Sequence, residues 1–134
     1  MFKAHGEFEL EIIDSIFVVN IKGAWNIENL HAYSLSAKNI LKPLQGKPWA
    51  MVTILDDWEL FTPDCLPLMK KLVRVAYSVG LIREVIVSSS SGIKIEFFEP
   101  ILADCPNFKR QFVKNKIEAF EWLKSEGFDT ARRW

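Results

Sequence analysis

A chain of 134 residues, 49 % hydrophobic and 25 % charged, has the length and composition of one globular domain and enough apolar surface to fold without staples. Seventeen basic residues balance seventeen acidic ones, so the formal net charge is zero and no basic footprint for nucleic acid stands out. No apolar run reaches the ~20 residues of a membrane span. The acid-bearing start, Met1 to Glu11, has no signal-peptide core. Cys65 and Cys105 lack a CxxC pattern, so reduced thiols and a cytoplasmic location are expected.

Residues 8–13 alternate apolar and acidic, as a half-exposed strand does. Asp14-Ser15 breaks the pattern, and residues 16–22 form a β-branched, apolar strand ended by Gly23, which together predict an antiparallel hairpin. Asn26 is a good helix N-cap. After it, Ile27, Leu30, Ala37, Leu41 and Leu44 recur at helical spacing, with a stop near Pro43. Residues 49–55 are apolar on both alternating sets, which predicts a central strand covered on both faces.

Asp56 to Thr62 reads as a loop. Leu68, Met69, Leu72, Val73, Ala76 and Val79 then mark a second amphipathic helix that ends at Gly80. Its start falls either at Thr62-Pro63 or at Pro67, whose missing N–H interrupts a regular ladder. Residues 83–88 predict a short buried strand, followed by Ser89-Ser90-Ser91-Gly92. Residues 93–99 fit both periods and are taken as a helix ended or kinked at Pro100. Residues 108–113 predict a polar edge strand, and Lys109, Arg110, Lys114 and Lys116 a solvated basic face. Asn115 with Glu118 resembles a capping box, and Ile117, Phe120 and Leu123 form the stripe of a last helix stopped by Gly127.

The order β-β-α-β-α-β-α-β-α predicts an α/β fold in a single domain over 1–134, with its core at about residues 8–127. The expected sheet is five-stranded and mostly parallel, with an antiparallel first strand. Steady right-handed crossovers would place the helices on one face. The other face would then need a partner, loops or a second copy of the chain, and a homodimer is expected on that ground.

Ligands in open α/β sheets bind outside the carboxyl ends of the strands. The loops leaving those ends are Gly23 to Asn26, Asp56 to Thr62 and Ser88 to Gly92. They nominate Trp25, Asn26, Trp58, Leu60, Phe61, Thr62, Ser89, Ser90 and Ser91 as ligand- or partner-binding residues, because aromatic walls with a few polar groups line small-molecule pockets. The serine run lacks P-loop spacing and is not GxSxG. Adjacent Asp56 and Asp57 would point opposite ways on an extended chain. His5 and His31 have no partner at metal-ligand spacing. No catalytic residue, metal or cofactor is assigned.

The hairpin start, the helix after Gly23-Ala24-Trp25-Asn26 and the ending Lys116-Ile117-Glu118-Ala119-Phe120-Glu121-Trp122-Leu123 resemble the SpoIIAA-like, STAS-type proteins over about residues 6–127. The resemblance implies the SpoIIAA-like fold, shared with lipid-binding CRAL-TRIO domains, and no known catalysis. STAS anti-sigma antagonists carry an Asp-Ser-Ser-Gly type motif with a phosphorylated serine between the third strand and its helix. Here the region runs from Asp56 to Asp64 without that serine, and Thr62 is the nearest hydroxyl. The first reading is a non-catalytic regulatory module that binds a protein partner or an apolar small molecule such as a lipid. The alternatives are a homodimeric structural domain without a ligand and a small enzyme using the strand-end loops.

Overall fold

In the computed structural model, which describes residues 6–89, 98 and 104–130, the hairpin forms as the alternation predicts. Strands β1 (Glu7–Ile13) and β2 (Ile16–Trp25) pair antiparallel from Ile13↔Ile16 to Glu7↔Lys22. Asp14 takes φ +54° at the turn, a left-handed conformation that Asp tolerates better than most residues. Phe8, Leu10 and Ile12 of β1 pack on one face of the sheet, while Glu7 and Glu9 stay exposed.

Strand β3 (Trp49–Ile54) joins β2 in parallel along Ile16 to Asn20. The far end of the ten-residue β2 is left with open backbone groups, which need partners of their own. They are taken by a short strand, β4 (Trp58–Phe61), in register from Gly23↔Trp58 to Trp25↔Phe61. The segment from Asp56 to Thr62 is therefore not a plain loop, and the sheet has a sixth strand beyond the five expected. β5 (Leu81–Val87) and β6 (Lys109–Val113) continue in parallel, giving the order β1-β2-β3-β5-β6 with β4 beside β2.

Helix α1 (Ile27–Ile40) begins with a complete capping box. Asn26 Oδ1 accepts from the Asn29 N–H at 3.0 Å, and Asn29 Oδ1 accepts from the Asn26 N–H at 3.3 Å. Pro43 then sits in a tight turn, Lys42–Leu44. Helix α2 (Cys65–Ser78) starts between the two sequence candidates, and Pro67 falls in its first turn, where a missing N–H costs nothing. Gly80 follows at φ +124°, and a β-carbon there would collide with the Lys47 carbonyl oxygen. The helix expected over 93–99 lies outside the described residues except for Phe98, which is helical and buried.

Helix α3 (Lys116–Ser125) is capped by Asn115, whose Oδ1 accepts from the Glu118 N–H at 2.9 Å. The Glu118 carboxylate reaches back to the Lys114 N–H at 3.0 Å, one residue before the cap. α1 and α2 cover one face of the sheet, but α3 covers the other, where Ala119, Phe120 and Leu123 pack against Ile16, Val18, Ala50, Val52, Val85 and Val87. The expectation of helices on a single face fails at this helix. Handedness constrains a helix joining two parallel strands, and among the described residues no strand follows α3. A second copy is no longer required to cover that face. Within α3 itself, Ile117 is 56 % exposed and Ala119 takes its place in the buried stripe.

Candidate functional site

Between α1, α2 and the sheet lies a cavity of about 500 Å³. The sheet contributes Phe17, Val19, Trp49 and Met51 to its wall, and α2 contributes Met69, Leu72 and Val73. Small residues also line the space from the helices: Ser34 and Ala37 on α1, and Ala76 on α2. Leu35 and Val75, 67 % and 53 % exposed, border the cavity from the two helices and form an apolar rim.

One end of this apolar space has a polar floor. Glu84 on β5 and Arg110 on β6 are register partners, so both side chains project to the same face. Arg110 Nε and Nη2 donate to Glu84 Oε1 at 2.9 and 2.7 Å. Thr53 Oγ1 on β3 donates to Glu84 Oε2 at 3.0 Å. Arg110 Nη1 donates to the Phe98 carbonyl at 2.6 Å, and the guanidinium lies 5.1 Å from the centre of the Phe108 ring. The Arg110 and Glu84 side chains are only 7 % and 6 % exposed. The solvated basic face read over 109–116 thus fails at Arg110, because strand alternation turns it inward while Lys109 and Gln111 remain exposed.

Tyr33 on α1 meets the same cavity, its ring set edge-on to Phe8 and Trp25. Burial pushes its phenol well above the ordinary value, and the charge of Glu84 adds to the rise. Among the described residues its hydroxyl makes no hydrogen bond.

Of the residues nominated at the strand ends, Trp25 and Phe61 line the cavity, 5.9 Å apart in an edge contact. Trp58, 7 % exposed, stands behind them against Phe61 and Phe98. Asn26 is spent on the α1 cap, and Leu60 is exposed on β4. Thr62 donates its N–H to the Trp25 carbonyl at 2.8 Å and its hydroxyl to Asp64. The Ser89 N–H donates to Asp56 Oδ1 at 2.8 Å, tying the end of β5 to the end of β3. Ser90 and Ser91 lie outside the described residues, as does His5, and His31 is exposed.

The geometry therefore gathers Trp25, Trp58 and Phe61 into one aromatic cluster and leaves Asn26, Leu60, Thr62 and Ser89 outside the cavity lining. Sequence reasoning missed Tyr33, Thr53, Glu84 and Arg110. The available signal was an acid inside an apolar strand, with an arginine one strand later. Among the described residues, no three His, Cys, Asp or Glu side chains gather as a metal site, and no helix is long and apolar enough to cross a membrane.

No protein-family model and no curated protein matches the chain. Solved structures do. An uncharacterized protein with a SpoIIAA-like fold from Shewanella loihica PV-4 superposes with a TM-score of 0.66 at 10 % identity, covering 92 % of this chain and 97 % of its own. The chain has a SpoIIAA-like fold. An anti-sigma factor antagonist from Mycobacterium paratuberculosis is similar at a TM-score of 0.56 and 14 % identity, over 89 % of this chain and 94 % of its own. The segments that carry the sequence resemblance form the β1-β2 hairpin, α1 behind Asn26, and α3. In this SpoIIAA-like chain, the stretch that would hold the Asp-Ser-Ser-Gly motif is instead the turn at Asp56-Asp57 followed by β4.

Proposed function

We propose that this chain is a non-catalytic, single-domain SpoIIAA-like module that binds an apolar small molecule between α1, α2 and the sheet. One observation carries the reading: a cavity of about 500 Å³ walled by apolar side chains with a small polar floor. Ligand sites are typically clefts of about 300–1,000 Å³ with this kind of lining. An occupant that takes this apolar wall out of water stabilises the fold by binding the folded state. Lipid is the ligand class implied by the resemblance to the CRAL-TRIO fold, and the apolar rim at Leu35 and Val75 supports it.

Titration with phenylnaphthylamine, an uncharged fluorescent probe, tests the reading. The wild-type chain is expected to bind it saturably. Ala37→Phe, which fills the cavity from α1, is expected to abolish binding while the far-ultraviolet circular dichroism is retained. No saturable binding, or equal binding by Ala37→Phe, would overturn the proposal. A second reading, regulation through a protein partner or a second copy of the chain, is supported by the likeness to an anti-sigma factor antagonist. Exposed Leu35 and Val75 offer such a partner an apolar contact on the α1-α2 surface.

A further inference from the structure

Resting on the ligand-binding reading, we infer that the occupant is an uncharged alcohol: an elongated apolar molecule whose hydroxyl meets Tyr33, Thr53 and Glu84 at the polar floor. The hydrogen-bonding valences at the floor select this class. A carboxylate offers about four lone-pair sites. Glu84 Oε1 takes two bonds from Arg110, and Oε2 takes one from Thr53. One acceptor position remains on Oε2, and the Thr53 oxygen keeps lone pairs of its own. The Tyr33 hydroxyl both donates and accepts, and makes no bond among the described residues. Tyr33 is half-buried and lines the cavity, so its hydroxyl is placed to bond an occupant.

A hydroxyl satisfies this set, because it donates one bond toward Glu84 or Thr53 and accepts one from Tyr33. The formal charges of Glu84 and Arg110 cancel, so the floor supplies no counter-charge for an ion. A ligand carboxylate would bring acceptors only, beside an existing carboxylate. A primary ammonium would surrender a strongly held hydration shell to an anion already neutralised by arginine. The cavity volume suits roughly 15 non-hydrogen atoms, if each claims about the 30 Å³ that water takes in the liquid. A decyl chain with one oxygen fits that size.

Calorimetric titration of the full chain with decanol and with decanoate at neutral pH tests the inference. Decanol is expected to bind about a hundredfold tighter than decanoate, reflecting the cost of burying an unpaired carboxylate. Tyr33→Phe is expected to weaken decanol about fivefold, the loss of one neutral hydrogen bond, with an unchanged melting midpoint and no effect on decanoate. Decanoate binding as tightly as decanol would overturn the inference and place the head group at the rim, beside exposed Lys38. Unchanged decanol affinity in Tyr33→Phe would overturn it as well. If both probes bind alike and Ala37→Phe excludes both, the ligand-binding reading survives and the alcohol assignment falls. If neither binds while phenylnaphthylamine does, the alcohol assignment falls and the ligand-binding reading survives; if none of the three binds, both fall.

Discussion

The two faces of one sheet are built from different materials. Under α3, the residues are aliphatic and mostly β-branched, and the helix meets them with Ala119 between Phe120 and Leu123. A small residue on the helix lets its backbone approach a surface of short, stiff side chains, and Ala119 and Leu123 are fully buried there. Under α1 and α2, the sheet presents Phe17, Trp25 and Trp49, and the helices set small Ser34, Ala37 and Ala76 among larger residues such as Met69 and Leu72. Large side chains are spread out while small ones face them across open space. Position matters more than composition here: alanine makes close contact on one face and leaves room on the other.

The largest effect that would test this contrast lies at the polar floor. Glu84→Ala strands a buried guanidinium, and a loss of about 4 kcal/mol in denaturant-derived stability is expected. Pairing Glu84→Leu with Arg110→Met is expected to recover most of that loss, because the desolvation cost disappears along with the attraction. A change below about 1 kcal/mol in Glu84→Ala would mean that water reaches the pair through the cavity.

The same substitution on the two faces gives a sharper comparison. Ala119→Leu is expected to destabilise the chain by about 2 kcal/mol through overpacking. Ala37→Leu is expected to be neutral or stabilising by up to about 1 kcal/mol, since it fills space that is already open. Equal losses at both positions by thermal melting would show that the face under α1 and α2 is as tightly packed as the face under α3.

The smallest effect is at the edge of the face under α3. Glu126 accepts from Arg83 Nε at 2.8 Å and lies 3.5 Å from Lys109 Nζ. The Arg83 hydrogen bond holds its carboxyl below the ordinary value, with Lys109 adding to the effect. A carboxyl lowered in the folded state contributes stability that is present above its unfolded value of 4.5 and lost as pH falls through the lowered folded value. Glu126→Gln is therefore expected to lose less melting temperature than wild type when melts are taken from neutral pH down to about pH 3. Parallel acid profiles would mean that this pair is fully screened by solvent.

Much of the fold is legible in the amino-acid pattern because it is local. The Asn26 cap, the α2 stripe and the two-sided apolarity of β3 each follow from neighbours within a few residues. β4 was not legible, because its reason is the unpaired far half of β2, more than thirty positions earlier in the chain. The side taken by α3 was equally hidden, since handedness acts only between parallel strands. At the candidate site, the rule about strand ends nominated Trp25 and Phe61, which line the cavity. It could not find Tyr33, Glu84 or Arg110, because a cavity is a property of the spacing between elements. Arg110 was further disguised by its lysine neighbours, and only the strand register shows that it turns inward.

Chain order gives the position of α3 a consequence during synthesis. Every described strand precedes it, so a nascent chain can assemble the sheet while Val18, Val52, Val85 and Val87 are still bare. At on the order of 5–20 residues per second, the ten residues of α3 take about one second to emerge. Through that interval the exposed valines form a sticky surface on the ribosome-bound intermediate, open to chaperones and to aggregation, until α3 closes over it.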